Sequence, residues 1–156
     1  MSFIGNNVLV YATAEGAPFR ERARTALVRL AAIESLSISR QVLQEYVATT
    51  TPPQTWGKPP TLAEALADAA VFEQHFILRE DGPTVWDRLV AFGGRFAFGG
   101  RQVHDANIVA TTLAHGERQL LTFNDADFRR FADLIAARSV QPWRLQEPRP
   151  IARADR

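Results

Sequence analysis

Hydrophobic and polar residues follow one another along the chain in blocks that predict alternating strands and helices. The apolar run Val8–Ala12, preceded by Phe3 and Ile4, is rich in strand-forming residues and predicts a buried first strand. Apolar residues then recur at helical spacing over Pro18–Ile33, with arginines on the other side, and this predicts an amphipathic helix.

The same alternation continues along the rest of the chain. Thr61 and Glu64 form a capping box that starts a helix, and Gly116 stands where a helix C-cap is expected. Asp125–Phe131 predicts a turn or a short helix. The further predictions are strands at Leu36–Ile38, Ile77–Leu78, Gln119–Phe123 and Ser139–Trp143, and helices at Gln41–Thr50, Thr61–Phe76, Pro83–Phe92 and His104–Ala114.

Strands that alternate with helices indicate an α/β fold, in which a central, mostly parallel sheet is covered by helices on both faces. No linker divides the chain, so we expect one domain over residues 1–147 and a flexible tail over residues 148–156. Functional residues of such sheets collect at the carboxyl ends of the strands. The candidate positions are therefore Gly5–Asn7, Glu45, Asp105 and Asn124–Asp127.

The composition narrows the chemistry. The 156 residues contain no cysteine, which excludes disulfides, thiolate zinc sites, iron–sulfur clusters and cysteine nucleophiles. No apolar run approaches the roughly 20 residues that span a bilayer, and no secretory signal pattern opens the chain. We therefore expect a cytoplasmic protein without membrane contact. The net charge of +1 does not by itself indicate a nucleic-acid binder.

Three acidic segments could carry chemistry, although each also has an ordinary structural interpretation. Glu45 could be an exposed helix glutamate, Asp105 could be an N-cap residue, and Asn124–Asp127 could be a turn after a strand. Oxygen ligands on three elements of one α/β domain nevertheless suggest a site for a hard metal ion.

Polar residues interrupt the first apolar run. Gly5 weakens a strand and commonly marks a bulge, and Asn6 and Asn7 have poor strand propensity. We interpret this interruption as a β-bulge that carries a functional site.

Four segments together resemble a known family. Phe3–Ala12, Ser39–Tyr46, Gly100–Ala110 and Leu120–Phe128 are similar, in order and spacing, to motifs of PIN domains, especially the VapC-type toxins of toxin–antitoxin pairs. The first strand of that family ends in Asp-Thr/Ser-Asn. The later segments carry a glutamate, a central aspartate and a closing Thr-x-Asn/Asp-x-x-Asp-Phe pattern.

The resemblance implies a PIN-like fold and an endoribonuclease that depends on Mg²⁺ or Mn²⁺. It implies that Glu45, Asp105 and Asp127 are catalytic, and that these three residues and Asn124 hold the metal. Spacing alone does not choose between Asp125 and Asp127, but the family pattern favours Asp127. The chain departs from the family at Gly5, which occupies the position of the first acidic ligand, so we expect this copy to be impaired.

The resemblance also implies partners. The side chains expected to hold RNA are Asn7, Arg40, Arg101 and His104, and Arg129 and Arg130 are further candidates. A VapB-like antitoxin would bind across the acidic site and would make any contact to DNA, and the chain would form a homodimer.

Two alternatives stand beside the nuclease interpretation. Because Gly5 has no side-chain ligand, the chain could be a non-catalytic PIN domain that binds RNA or a protein partner. An unrelated α/β phosphate-binding protein has less support, since no glycine-rich phosphate loop follows the first predicted strand.

Overall fold

The computed structural model describes residues 1–51 and 57–140, and a single parallel sheet forms the centre of this part of the chain. Its strands are β1 Ser2–Ile4, β2 Leu36–Ser39, β3 Ile77–Arg79, β4 Gln119–Thr122 and β5 Ala136–Ser139. They lie in the order β3-β2-β1-β4-β5, and each neighbouring pair is parallel. The predicted α/β fold with a parallel central sheet is confirmed.

Helices connect the strands. They are α1 Asn6–Thr13, α2 Arg20–Ala31, α3 Arg40–Thr50, α4 Leu62–His75, α5 Pro83–Gly93, α6 Gln102–Ala114 and a 3₁₀ helix at Asp125–Phe131. Helix α1 contacts α2 and α3, α3 contacts α4, and a second group joins α5, α6 and the 3₁₀ helix. No helix of the described residues is long and apolar enough to cross a membrane.

The strand order places the chain reversal at the middle of the sheet. From β1 the chain moves outward to β2 and β3, and it then returns past β1 to β4 and β5. Right-handed crossovers that run in opposite directions lie on opposite faces of a sheet. The carboxyl ends of β1 and β4 therefore flank the switch point, which is where open α/β sheets bind their ligands.

The prediction for the first apolar run is wrong in its second half. Strand β1 ends at Ile4, and Val8–Ala12 lies in helix α1 rather than in a strand. Gly5 is not a bulge but the N-cap residue of this helix, with extended backbone angles of φ −73° and ψ 151°. Because Val8, Leu9 and Val10 are all buried, this short helix carries the same continuous apolar run as a buried strand.

The remaining predicted elements are found, with one shift in position. Thr61 and Glu64 form the capping box of α4, and Gly116 has a left-handed φ of 75° just after α6. The last strand is Ala136–Ser139 and precedes the predicted Ser139–Trp143, because this earlier segment pairs with β4. Residues 141–143 and the predicted tail at 148–156 lie outside the described residues.

A polar cluster is enclosed at the amino end of β4. Glu117, only 4% exposed, accepts a hydrogen bond from the Ser37 hydroxyl. Its Oε1 atom also accepts from the Arg79 guanidinium, with both nitrogens at 2.7 Å. This buried carboxylate is therefore matched in charge and saturated with donors, as stable buried acids require.

Candidate functional site

Three elements bring the predicted acidic residues toward the carboxyl end of the sheet. Glu45 lies in the second turn of α3, which starts at the end of β2. The Ser39 hydroxyl caps this helix by accepting a hydrogen bond from the Val42 amide at 3.4 Å. Asp105 lies in the first turn of α6. Asp127 lies in the 3₁₀ helix that follows β4.

Asp105 has the most perturbed carboxyl group of this set. Burial is the largest cause, followed by the negative charges of Asp127 and Glu45, and together they raise the pKa of Asp105 from 3.8 to about 6. The positive charges of Arg130 and His104 act in the opposite direction. The charges of Asp127 and Glu45 thus both act on Asp105. Such a cluster of negative charge is typical of a functional site.

Glu45 is half-buried and held by its own helix. The Gln41 side-chain amide, one turn earlier, donates to Glu45 Oε1 at 2.7 Å. Residues four apart lie on the same face of a helix, so this contact follows from local geometry.

The two aspartates of the segment after β4, Asp125 and Asp127, differ in their effect on Asp105. Asp127 is the first of the charges that raise the pKa of Asp105, whereas Asp125 is not among them. The amide of Asn124 donates to the Thr122 hydroxyl at 3.1 Å, and the amide of Asp127 donates to the Asn124 carbonyl at 3.1 Å. The electrostatics therefore favour Asp127 over Asp125 as the residue that acts with Asp105.

Asn7 has a role inside the protein. Its Nδ2 atom donates to the Thr122 hydroxyl at 3.0 Å, and its Oδ1 atom accepts from the Phe123 amide at 3.0 Å. The side chain thereby fastens the first turn of α1 to the end of β4, on either side of the switch point. Direct contact between Asn7 and RNA stays a prediction.

Gly5 stands at the carboxyl end of β1, where a side chain would come close to the neighbouring strand. Its amide donates to the Leu121 carbonyl at 2.9 Å. A Cβ atom at position 5 would lie 3.2 Å from that carbonyl oxygen, 3.6 Å from Asn7 Oδ1 and 3.6 Å from Thr122 Cβ. Since φ is −73°, the backbone does not require glycine. A shift of a few tenths of an ångström at Leu121 would admit a larger residue.

The predicted RNA-binding cations differ in their surroundings. Arg40 forms ion pairs with Glu80 at 2.8 Å and Glu73 at 3.3 Å, so its guanidinium is already engaged. Arg101 and His104 are exposed at the start of α6, next to Asp105. Arg130 donates to the Ala97 carbonyl and to Gln102. Of these predicted contacts, Arg101 and His104 are the better placed for an incoming phosphate.

The donor chemistry of the cluster suits a hard divalent cation, because its atoms are carboxylate and amide oxygens. The set is not compact, however. Across residues 1–51 and 57–140, no three His, Cys, Asp or Glu side chains come near enough together to hold a metal ion. The residues therefore fit a metal ion by donor type and charge, but not by their spacing in this structure.

Sequence reasoning missed the side chains that support the acids. Gln41 and Thr122 stood within segments that resemble the family, but no contact or role was predicted for either side chain. The helical spacing of Gln41 and Glu45 is the one signal that could have indicated their contact in advance. The contact of Asn7 with Thr122 spans 115 positions and depends on the folded sheet.

The family model of the PIN domain matches residues 3–134 of the chain. No curated protein matches the sequence significantly. Several solved structures share the fold. VapBC-1 from nontypeable Haemophilus influenzae has a TM-score of 0.65 at 13% identity, with 89% of this chain and 97% of that chain covered.

Two further structures are similar over most of their length. VapBC2 from Rickettsia felis, bound to a DNA fragment from its promoter, has a TM-score of 0.64 at 18% identity and covers 88% of this chain and 97% of its own. VapC20 from Mycobacterium tuberculosis, a toxin that cleaves the sarcin-ricin loop, has a TM-score of 0.58 at 14% identity, with 77% and 87% covered. At these identities the likeness shows a shared fold.

Proposed function

Because this chain belongs to the PIN-domain family, we propose that it is a VapC-like toxin, a metal-dependent endoribonuclease that a cognate antitoxin neutralises. The observation that carries the proposal is the half-buried carboxyl group of Asp105 beside the charges of Asp127 and Glu45. Burial first, and then these two charges, raise its pKa to about 6. A divalent cation bound there would stabilise such a carboxylate.

In this proposal Asp105 and Asp127 hold Mg²⁺ or Mn²⁺, Asn124 completes the ligand set, and Glu45 binds the metal or orients the attacking water. A divalent ion held by these residues would supply an activated water and positive charge for the phosphodiester. Glu45 serves as the proton acceptor for that water, because it is half-buried and its carboxylate is oriented by Gln41.

Gly5 impairs this copy of the site. The family places its first acidic ligand at this position, and a glycine contributes no oxygen from a side chain. A magnesium site depends on few anionic ligands, so the loss of one weakens binding strongly. The extended backbone of Gly5 supports the idea that an aspartate is accepted here, once the Leu121 carbonyl moves by a few tenths of an ångström.

The RNA strand would approach over the start of α6. Arg101 and His104 would hold phosphates there, and such contacts position the strand without reading bases. Arg40 would first have to leave Glu80 and Glu73. A substrate of RNA implies action in the cytoplasm.

The structural neighbours support a protein partner. Two of them are VapBC complexes, and one of these is bound to promoter DNA. We propose that a VapB-like antitoxin covers the acidic site of this chain and makes the contact to DNA, and that the chain forms a homodimer.

A second candidate follows from Gly5. If the protein functions with glycine at position 5, the chain is a non-catalytic PIN domain that binds RNA or a protein partner. The same acidic cluster and exposed cations would then serve binding alone.

A cleavage assay separates the two candidates. The native chain, Gly5→Asp and the uncharged control Gly5→Asn are incubated with fluorogenic RNA, with Mn²⁺ or with EDTA. The nuclease proposal expects cleavage by Gly5→Asp alone, abolished by EDTA. Equal activity of the native chain would contradict the role given to Gly5. If none of the three proteins cleaves RNA, but the native chain binds labelled RNA, the result supports the non-catalytic binding protein.

A further inference from the structure

Two amide side chains connect Glu45 to other elements of the fold. Gln41 Nε2 donates to Glu45 Oε1 at 2.7 Å and to the His104 carbonyl at 3.0 Å, so both of its hydrogens are used. Gln41 Oε1 accepts from Asn107 Nδ2, in α6, at 2.7 Å. Asn107 Nδ2 also donates to Asp81, which follows β3, at 2.9 Å. The network therefore links α3, α6 and the segment after β3.

The acceptors fix the orientation of both amides. Carboxylate and carbonyl oxygens only accept, so the end of Gln41 that faces Glu45 must be its NH₂ group. The oxygen of Gln41 then faces α6, where Asn107 must present its own NH₂ group. Reversing either amide would set oxygen against oxygen, and at Asp81 or Glu45 it would set oxygen against a negative charge. The network has a single arrangement.

We propose that Gln41 and Asn107 are positioning residues that make Glu45 act through one oxygen, and this inference rests on the proposed nuclease function. Gln41 occupies Glu45 Oε1, so Oε2 is the oxygen left for the metal ion or for the attacking water. Gln41 also ties α3 to the carbonyl of His104, the residue before Asp105, and so sets the spacing between the two acids.

The expected loss of activity can be estimated from residues that orient metal ligands in other proteins. Side chains that orient a metal ligand change metal affinity or activity by roughly 10–100-fold when removed. A merely structural role predicts something different, namely lower stability with an unchanged turnover of the folded protein.

The kinetic test uses Gly5→Asp as the background. Gln41→Ala and Asn107→Ala are compared with Gln44→Ala, a control that removes an exposed glutamine from the same helix. We expect kcat to fall by about 10–100-fold for Gln41→Ala, with less change in KM for RNA, and Mn²⁺ affinity by calorimetry to fall with it. Gln44→Ala should leave both unchanged. Equal kcat and equal Mn²⁺ affinity in Gln41→Ala and Gln44→Ala would overturn the inference, although the nuclease function would stand.

A second measurement needs no activity. In ¹H–¹⁵N spectra of the native chain, the side-chain NH₂ signals of Gln41 and Asn107 should exchange slowly with water. The Gln41 signal should shift in Glu45→Gln, and the Asn107 signal should shift in Asp81→Asn. If Gly5→Asp cleaves no RNA, the proposed function fails and the role given to Glu45 fails with it, whereas these spectra still test the amide network. Rapid exchange and unmoved signals would overturn it.

Discussion

The two ends of helix α6 hold acidic residues in opposite electrostatic surroundings. At its start, burial and then the negative charges of Asp127 and Glu45 raise the pKa of Asp105 to about 6. Just beyond its end, Glu117 is 4% exposed and is matched by Arg79 and the Ser37 hydroxyl. Glu117 is thus paired with a positive charge, whereas Asp105 is half-buried beside two negative charges. That difference distinguishes a structural carboxylate from one kept for chemistry.

The largest expected effect comes from breaking the matched end. Glu117→Gln removes the negative charge and leaves Arg79, with 19% of its side chain exposed, without its ion-pair partner. Removing one member of a buried pair costs about 3–5 kcal/mol. Urea denaturation should therefore show a free energy of unfolding lower by about that amount.

Asp133→Asn is the control for this prediction. It breaks the ion pair of Asp133 with Arg95, whose side chains are 54% and 56% exposed, and exposed pairs contribute about 0–1 kcal/mol. Equal losses in Glu117→Gln and Asp133→Asn would contradict the contrast between buried and exposed pairs.

The same chemical change at the other end should have the opposite sign. Asp105→Asn removes a half-buried charge that Asp127 and Glu45 also repel. The free energy of unfolding at pH 7 should therefore rise by about 1 kcal/mol after allowance for solvent screening. In the Gly5→Asp background the same substitution should reduce RNA cleavage at least about 100-fold, because even residues that only orient a ligand account for roughly 10–100-fold. A loss of stability in Asp105→Asn would mean that the carboxylate is matched after all.

The gain in stability should depend on pH. The pKa of Asp105 is raised from 3.8 to about 6 by folding, so the folded state binds the proton more tightly. Its contribution to stability is complete below pH 3.8 and is lost as the pH rises through about 6. The difference between Asp105→Asn and the native chain should therefore vanish near pH 4 and be complete above pH 7. A difference constant over this range would exclude Asp105 as its source.

The smallest expected effects are changes in the pKa of Asp105, and they rank its acidic neighbours by their influence. Asp127→Asn should lower the pKa of Asp105 the most and Glu45→Gln less, because their charges rank in that order. Asp125→Asn should leave the pKa of Asp105 unchanged. Carboxyl ¹³C shifts of Asp105 measured against pH give all three values. A larger shift in Asp125→Asn would transfer the role from Asp127 to Asp125.

Much of the fold could be predicted from local patterns. The capping box at Thr61 and the glycine after α6 mark helix ends because the backbone groups there need particular partners or angles. The first apolar run misled because a short, fully buried helix such as Asn6–Thr13 and a buried strand share the same unbroken hydrophobicity. The apolar residues before Gly5 thus belong to strand β1, and those after Asn7 belong to helix α1.

The acidic residues were predicted as a set, but not the contacts that make them a site. The resemblance to PIN domains brought out Glu45, Asp105 and Asp127. The link between Gln41 and Asn107 joins positions 66 apart, so it exists only after α3 and α6 pack. Arg40 is the opposite case. Its charge suggested RNA binding, but in the folded chain its guanidinium forms an ion pair with Glu80.

The central claim is that the acidic cluster is a metal site lacking one ligand at Gly5. Calorimetric titration of Mn²⁺ into the native chain, Gly5→Asp and Gly5→Asn tests it most directly, because Gly5→Asn adds the volume of the side chain without its charge. The account predicts saturable binding to Gly5→Asp at least about 10-fold tighter than to the other two proteins, lost in Gly5→Asp with Asp105→Asn. Equal affinity in all three, or no binding to Gly5→Asp, would contradict it.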